Sequence, residues 1–306
     1  MHTESDAGLK SAYRGSFFII VAGICWGLIG LFTRKLSFLG LDSLQITFFR
    51  NLVAALEMAL VICLIDKNLF RIAIKDLWIF LGTGILSIAF FNACYFKALE
   101  LTTMAVASIL LYTAPCMVMV MSCLFFKEKI TRRKLLALVL AFVGCVFTTG
   151  ILGGNGGLSA MSVTPLAILI GLGSGFGYAL YSIFGTVALR RYDTVTITFY
   201  TFLFAAVSMA FLSKPLELVE VSQEKPELWL CGILLSTVST VVPFLCYTTG
   251  LKTVVAGKAS VMAFIEPMVA TLVGIFVFHE EMTVMLLVGI GLIFVSVVLL
   301  NIRGTR

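Results

Sequence analysis

Asp42-Ser43-Leu44-Gln45-Ile46-Thr47-Phe48-Phe49 reads against Asp193-Thr194-Val195-Thr196-Ile197-Thr198-Phe199-Tyr200, acid for acid and aromatic for aromatic. In the same register Ala54-Ala55 meets Ala205-Ala206, an offset of 151. With one residue added to the offset, Cys94-Tyr95 matches Cys246-Tyr247, Leu99 matches Leu251 and Ala107-Ser108 matches Ala259-Ser260. The same offset pairs Pro115 with Pro267, Phe126 with Phe278, Glu128 with Glu280 and Thr131 with Thr283. Ordered matches broken by one gap mark an internal duplication. The reading divides the chain into a first copy over 1–152 and a second over 164–306.

Both copies are mostly apolar. Hydrophobic residues are 60% of the 306, charged residues 12%, and the mean hydropathy is +1.08. A soluble domain carries about twice that charged share, so the expectation is an all-α integral membrane protein in a lipid bilayer. Disorder and a disulfide-stapled secreted domain are excluded. The net charge of +6 does not point to nucleic acid, because the cations lie between apolar runs, where they set topology. The eight cysteines all fall inside apolar runs and form no C-x-x-C pair, so they read as small buried hydrophobes with no metal site and no cofactor implied.

A spanning helix needs about 20 predominantly apolar residues. Ten runs qualify: 15–33, 44–65, 77–98, 102–125, 135–152, 164–188, 195–212, 228–251, 254–278 and 284–301. Very short polar breaks separate the third run from the fourth and the eighth from the ninth. An even number places both termini on one side, and Lys and Arg decide which. With the N-terminus inside, fifteen cations fall on the inner side and five (Arg34, Lys35, Lys97, Lys214 and Lys225) on the outer. The positive-inside rule then predicts cytoplasmic termini in the plasma (inner) membrane. Five spans per copy is an odd number, so the second copy enters the membrane from the opposite side. Ten transmembrane helices in two inverted five-helix repeats is the predicted fold, a geometry suited to alternating access around a mid-membrane site.

The Trp26-Gly27 pair and the run Ala105-x-Ala107-Ser108, Pro115, Glu128, with its second copy Gly257-x-Ala259-Ser260, Glu266-Pro267, Glu280, resemble the EamA branch of the drug/metabolite transporter superfamily. The resemblance covers essentially the whole chain. Gly257, where the first copy has Ala105, is a conservative departure. The resemblance implies ten helices in two inverted units and secondary transport of a small-molecule substrate; it does not specify which one.

Ionisable residues inside spans are costly and face a cavity or a partner. Arg50 lies about six residues into the second run, and its counterpart is Thr201. Glu57 sits roughly 10 Å further along the same helix, too far to pair with Arg50. It is a candidate for proton coupling, with an interhelical hydrogen bond as the structural alternative. Glu266 precedes Pro267 in the ninth run, and Pro115 occupies the symmetric place. A proline removes a helix donor and disturbs the carbonyl four residues back, so both are candidate helix breaks. Counting from the ends, Arg50 and Glu266 come within a few ångströms of the same depth, where they would bind a zwitterion or neutralise each other. Trp26, Tyr95, Tyr112, Tyr178 and Tyr247 are candidate substrate-binding aromatics; Tyr181 and Phe264 accompany them. Lys97 and Lys258 can snorkel from near the helix ends. Gly171, Gly173, Gly175 and Gly177 predict close helix approach rather than phosphate binding. The run Gly153-Gly154-Asn155-Gly156-Gly157 reads as an outer loop.

No H-E-x-x-H, G-x-S-x-G or G-x-x-x-x-G-K-[ST] occurs, and the two histidines, His2 and His279, lie outside the spans. The expected function is therefore a non-enzymatic secondary transporter, an exporter of amino acids or related amphipathic compounds. A drug or nucleotide-sugar carrier is the alternative within transport, and a polytopic membrane enzyme the alternative outside it.

Overall fold

The computed structural model describes residues 2–151 and 164–302, with side chains from Tyr13 onward except that of Ser222. The glycine-rich loop at 153–157 lies outside the described residues. Ten helical rods follow the apolar runs. In chain order they are α1 Tyr13–Phe38, α2 Ser43–Ile65, α3 Ile74–Leu101, α4 Met104–Phe126 and α5 Arg132–Thr148. The second copy gives α6 Pro165–Ala188, α7 Thr194–Ala210, α8 Glu227–Leu251, α9 Ala256–Phe278 and α10 Val284–Asn301. No strand occurs among the described residues.

Eight of the rods are long and apolar enough to cross a membrane, or nine if α7 and the helix Pro215–Val221, bent from it by 95°, form one span. The expectation of ten spans is therefore met only in part. The two that fall short, α5 and α7, have 17 residues each, about 25 Å at 1.5 Å per residue against a core of about 30 Å. The helix Pro215–Glu224 is an element the apolar runs do not predict.

The duplicated residues are devices that begin and end helices. Asp42 caps α2 in a capping box with Gln45, and Asp193 caps α7 through the Val195 N–H. Thr131 caps α5 and Thr283 caps α10, each accepting from the N–H three residues on. Lys127 and His279, offset by 152, end α4 and α9 in left-handed conformation, both at φ 55°. A π-helical segment interrupts α3 at Gly82–Ala89 and α8 at Thr237–Val241. The first packs on α7 and the second on α2.

Equivalents also pack on equivalents: α2 against α7, α5 against α10, and α4 against α9. The pair α1–α8 has its image in α6–α3. The repeats thus pack element for element. Tyr112 and Phe264, 152 apart in sequence, touch each other with ring centroids 6.0 Å apart.

The glycines of α6 form two faces. A β-carbon on Gly171 or Gly175 would come within 2.4 Å of Leu110 and 2.8 Å of Thr113 on α4. One on Gly177 would come 2.9 Å from the Phe91 backbone of α3. Alternate glycines thus let α6 lie against α4 on one side and α3 on the other, as the spacing predicts.

Candidate functional site

Both α4 and α9 break at mid-length. The first is interrupted at Tyr112-Thr113 and the second at Ala263-Phe264, with Pro115 and Pro267 just past the breaks. In the new first turn of α9, Glu266 N–H donates to the Ala263 carbonyl. The break turns the Glu266 side chain toward α6, where it accepts from the Tyr178 hydroxyl at 3.4 Å. Tyr112, Tyr178, Phe264, Pro115, Ser260 and Glu266 bound a cavity of about 20 Å³, room for about one water.

Trp26-Gly27 positions α1 on this break. A β-carbon at Gly27 would sit 2.8 Å from the Glu266 carbonyl oxygen, so glycine lets α1 touch α9 there. The neighbouring Trp26, 6% exposed, then presents its ring to Phe244 at 5.3 Å, Tyr247 at 5.4 Å and Tyr178 at 6.4 Å. Tyr247 is fixed by a hydrogen bond between its hydroxyl and Ser182 at 2.8 Å, and Tyr181 by one to Thr248 at 2.7 Å. Tyr95 joins from α3 through Phe91, which lies 5.5 Å from Tyr178, and its hydroxyl meets Ser108 at 3.3 Å. Trp26, Tyr178, Tyr247, Tyr112 and Glu266 are thus brought together, with Tyr95 at the edge.

Arg50 comes within electrostatic reach of Glu266 without touching it. It is 9% exposed and interacts electrostatically with Glu266, yet forms no ion pair within 4 Å, and its Nε has no hydrogen-bond partner among the described residues. The backbone explains the separation. The Arg50 carbonyl accepts from Ser236 on α8 at 3.3 Å, anchoring this part of α2 to α8, while Glu266 is turned toward α6. Mutual neutralisation by direct contact is therefore not what the structure contains: the two charges stand apart. The adjacent Asn51, fully buried, also has both side-chain polar atoms unpartnered among the described residues.

Glu57 does not pair with Arg50. It accepts from Thr237 at 2.7 Å and Ser236 at 3.3 Å, at the start of the α8 π segment. Lys97 reaches an exposed ion pair with Glu100 at 2.7 Å.

The site also draws on Phe244, Phe91, Ser182 and Thr248, which sequence reasoning did not single out, and on Ser260 of the repeated Ala-Ser pair. Nothing separates Phe244 or Phe91 from the other phenylalanines among 26. A missed feature with a legible signal lies at the helix ends. Arg34 donates to Glu280 at 2.7 Å, with its guanidinium carbon 4.1 Å from the Phe278 ring centroid. At the equivalent end, Arg190 stands 5.6 Å from the Phe126 ring, and Glu128 pairs with Lys134 at 3.5 Å. The Phe126/Phe278 and Glu128/Glu280 repeats marked both positions.

The profile of the EamA-like transporter family matches the chain twice, over 13–150 and 165–302. An uncharacterized transporter of Archaeoglobus fulgidus is 30% identical over 93% of this chain and 95% of its own. The uncharacterized inner membrane transporter YicL of Salmonella typhimurium is 23% identical over 97% and 98%. One crystal structure superposes with a TM-score of 0.77 at 16% identity, covering 93% of this chain and 95% of that one. It shares the fold.

Proposed function

Because this chain belongs to the EamA-like transporter family, we propose that it is a secondary exporter of amino acids or related amphipathic compounds, working by alternating access between two inverted five-helix repeats. In this reading α5 and α7 complete ten crossings, and both termini are cytoplasmic. The observation that carries the substrate class is the separation of Arg50 from Glu266. A guanidinium with an unpartnered Nε and a carboxylate on a broken helix, held apart beside aromatic walls, suit a ligand with charges of both signs. The carboxylate of an amino acid takes the Arg50 fork, its ammonium takes Glu266, and its side chain lies along Trp26, Tyr178 and Tyr247. Tyr95 and Tyr112 close the site, and Pro115 and Pro267 mark where α4 and α9 bend. Glu57 is the candidate coupling group.

The outer end of this conformer is held by Arg34, Phe278 and Glu280. The equivalent inner carboxylate, Glu128, is taken by Lys134 instead of Arg190, so among the described residues the inner end has no matching cross-repeat ion pair. Counterflow of labelled amino acids in ATP-free liposomes tests the proposal. Exchange without ATP is expected; a strict ATP requirement, or no flux of any amino acid by folded protein, overturns it. Uptake of aromatic drugs or nucleotide sugars in place of amino acids selects the alternative within the superfamily. Orientation is read separately: an impermeant thiol reagent outside the cell reaches a cysteine at Asn155 and not one at Lys129.

A further inference from the structure

At the end of the molecule away from Arg34 and Glu280, the tips of α3 and α6 enclose a second cavity of about 310 Å³. Lys75, Arg190 and Arg191 line it together with Asp76, Trp78, Ile79 and Val187. Three cations share one carboxylate, and that carboxylate is already occupied. Asp76 is buried, ion-paired through Oδ1 to Arg191, and accepts at Oδ2 from the Tyr192 hydroxyl at 2.8 Å. The same hydroxyl accepts from the Ala73 N–H at 3.0 Å, which fixes the turn bearing Lys75. Lys75 has no ion pair or hydrogen bond among the described residues, and Arg190 faces only the Phe126 ring. The wall therefore carries two positive charges that no carboxylate among the described residues pairs with.

The other wall is apolar and open to the side. Trp78 is 54% exposed and meets Phe184 in an edge-type contact at 6.1 Å, and Ile74 on the adjoining turn is 90% exposed. An exposed isoleucine and a half-exposed tryptophan flanking a lysine at a helix end are what a membrane interface accommodates. Phosphate chemistry above and hydrocarbon below describe a single ligand class.

We propose that this cavity is a headgroup site for an anionic phospholipid of the adjoining leaflet, with the phosphate between Lys75 and Arg190 and an acyl chain running past Trp78. Basic pockets at the cytoplasmic ends of spanning helices take such headgroups. The site is remote from Arg50 and Glu266 and independent of the transported substrate.

Native mass spectrometry of detergent-solubilised protein, titrated with phosphatidylglycerol or phosphatidylcholine, tests this directly. Wild type retains phosphatidylglycerol in preference to phosphatidylcholine. Lys75→Gln and Arg190→Gln each weaken that retention roughly fivefold, the worth of one basic side chain at an anionic surface. Lys129→Gln, a cation of the same membrane side that does not line the cavity, leaves it unchanged. Lys75 is exposed on a short turn, so its variant reads binding without disturbing the bundle. Equal retention by wild type and Lys75→Gln overturns the proposal. So does displacement of the lipid by millimolar inorganic phosphate, which would make the cavity a soluble-anion site.

Discussion

In the first repeat α2 carries Arg50 and Glu57, where α7 of the second carries Thr201 and Ser208; in the second, α9 carries Glu266 where α4 carries Ala114. The π segments, the caps at Asp42 and Asp193, the left-handed ends at Lys127 and His279 and the breaks before Pro115 and Pro267 are present in both copies. What duplication preserved is what shapes and joins helices. What it did not preserve are charges inside the membrane, each of which is costly unless it meets a partner. Thr201 shows the alternative fate of such a position: its hydroxyl simply bonds Thr83 at 2.7 Å. Of the asymmetric residues, Glu57 is tied to α8 by Thr237 and Ser236, while Arg50 has no ion pair and an unpartnered Nε among the described residues.

The sharpest way to break this contrast is to remove one asymmetric charge. Glu266→Gln loses a charge-assisted hydrogen bond to an ammonium, worth about 1.5–3 kcal/mol. Counterflow of zwitterionic amino acids should fall roughly 10- to 100-fold while ligands lacking the amine are spared. Moving the carboxylate to the symmetric place, Ala114→Glu with Glu266→Ala, should not restore flux, because Arg50 has no second copy; full restoration would erase the distinction drawn here. Arg50→Lys keeps the charge but loses the bidentate fork, and should weaken substrate binding by about tenfold with little change in melting temperature.

The structural devices are tested within α6. Gly177→Ala drives a methyl onto the Phe91 backbone, which cannot give way, and should destabilise solubilised protein by about 1–3 kcal/mol. Gly173→Ala, whose β-carbon would make side-chain contacts alone, with the Cys94 sulfur at 3.4 Å and the Phe90 ring at 3.7 Å, should be near neutral. Equal losses would show that close approach to the Phe91 backbone is not what Gly177 provides on this face.

At the ends the expected effects are smaller. The Arg34–Glu280 pair is about half exposed on both sides, so it contributes at most about 1 kcal/mol. Arg34→Gln should raise external labelling of a cysteine at Val269 up to roughly fivefold. The last test, at Glu57, reads the pH dependence of transport and not its rate. If Glu57 only ties α2 to the α8 π segment, Glu57→Gln leaves the pH dependence of transport unchanged; loss of that dependence assigns it to proton coupling.

The helices were legible because a membrane span is a composition signal and the duplication a pattern signal. Asp42/Asp193 and Thr131/Thr283 stood out as matches before their capping role was visible. The π segments were not legible: Gly82-Thr83-Gly84 and Thr237-Val238-Ser239 share no signature, since a π turn adds one residue without requiring any particular type. For the site, counting residues along helices placed Arg50 and Glu266 at similar depth but fixed only one coordinate of three. Whether they touch depends on which neighbour each helix face meets, which residue counting along one helix does not give. The aromatic wall was read in part, through Trp26, Tyr178 and Tyr247, because tryptophan and tyrosine are scarce here and phenylalanine is not.

The contact between Tyr112 and Phe264 has a further consequence. Equivalent residues that touch lie beside the fixed line of the operation that interchanges the halves. If transport exchanges the environments of the two repeats, each ring must adopt the surroundings of the other. The two differ by one hydroxyl, so the exchange cannot be energetically neutral: one orientation satisfies that hydroxyl better than the other. On the proposed alternating-access reading, that hydroxyl joins Arg50, Glu57 and Glu266 among the differences that set which side the cycle rests on.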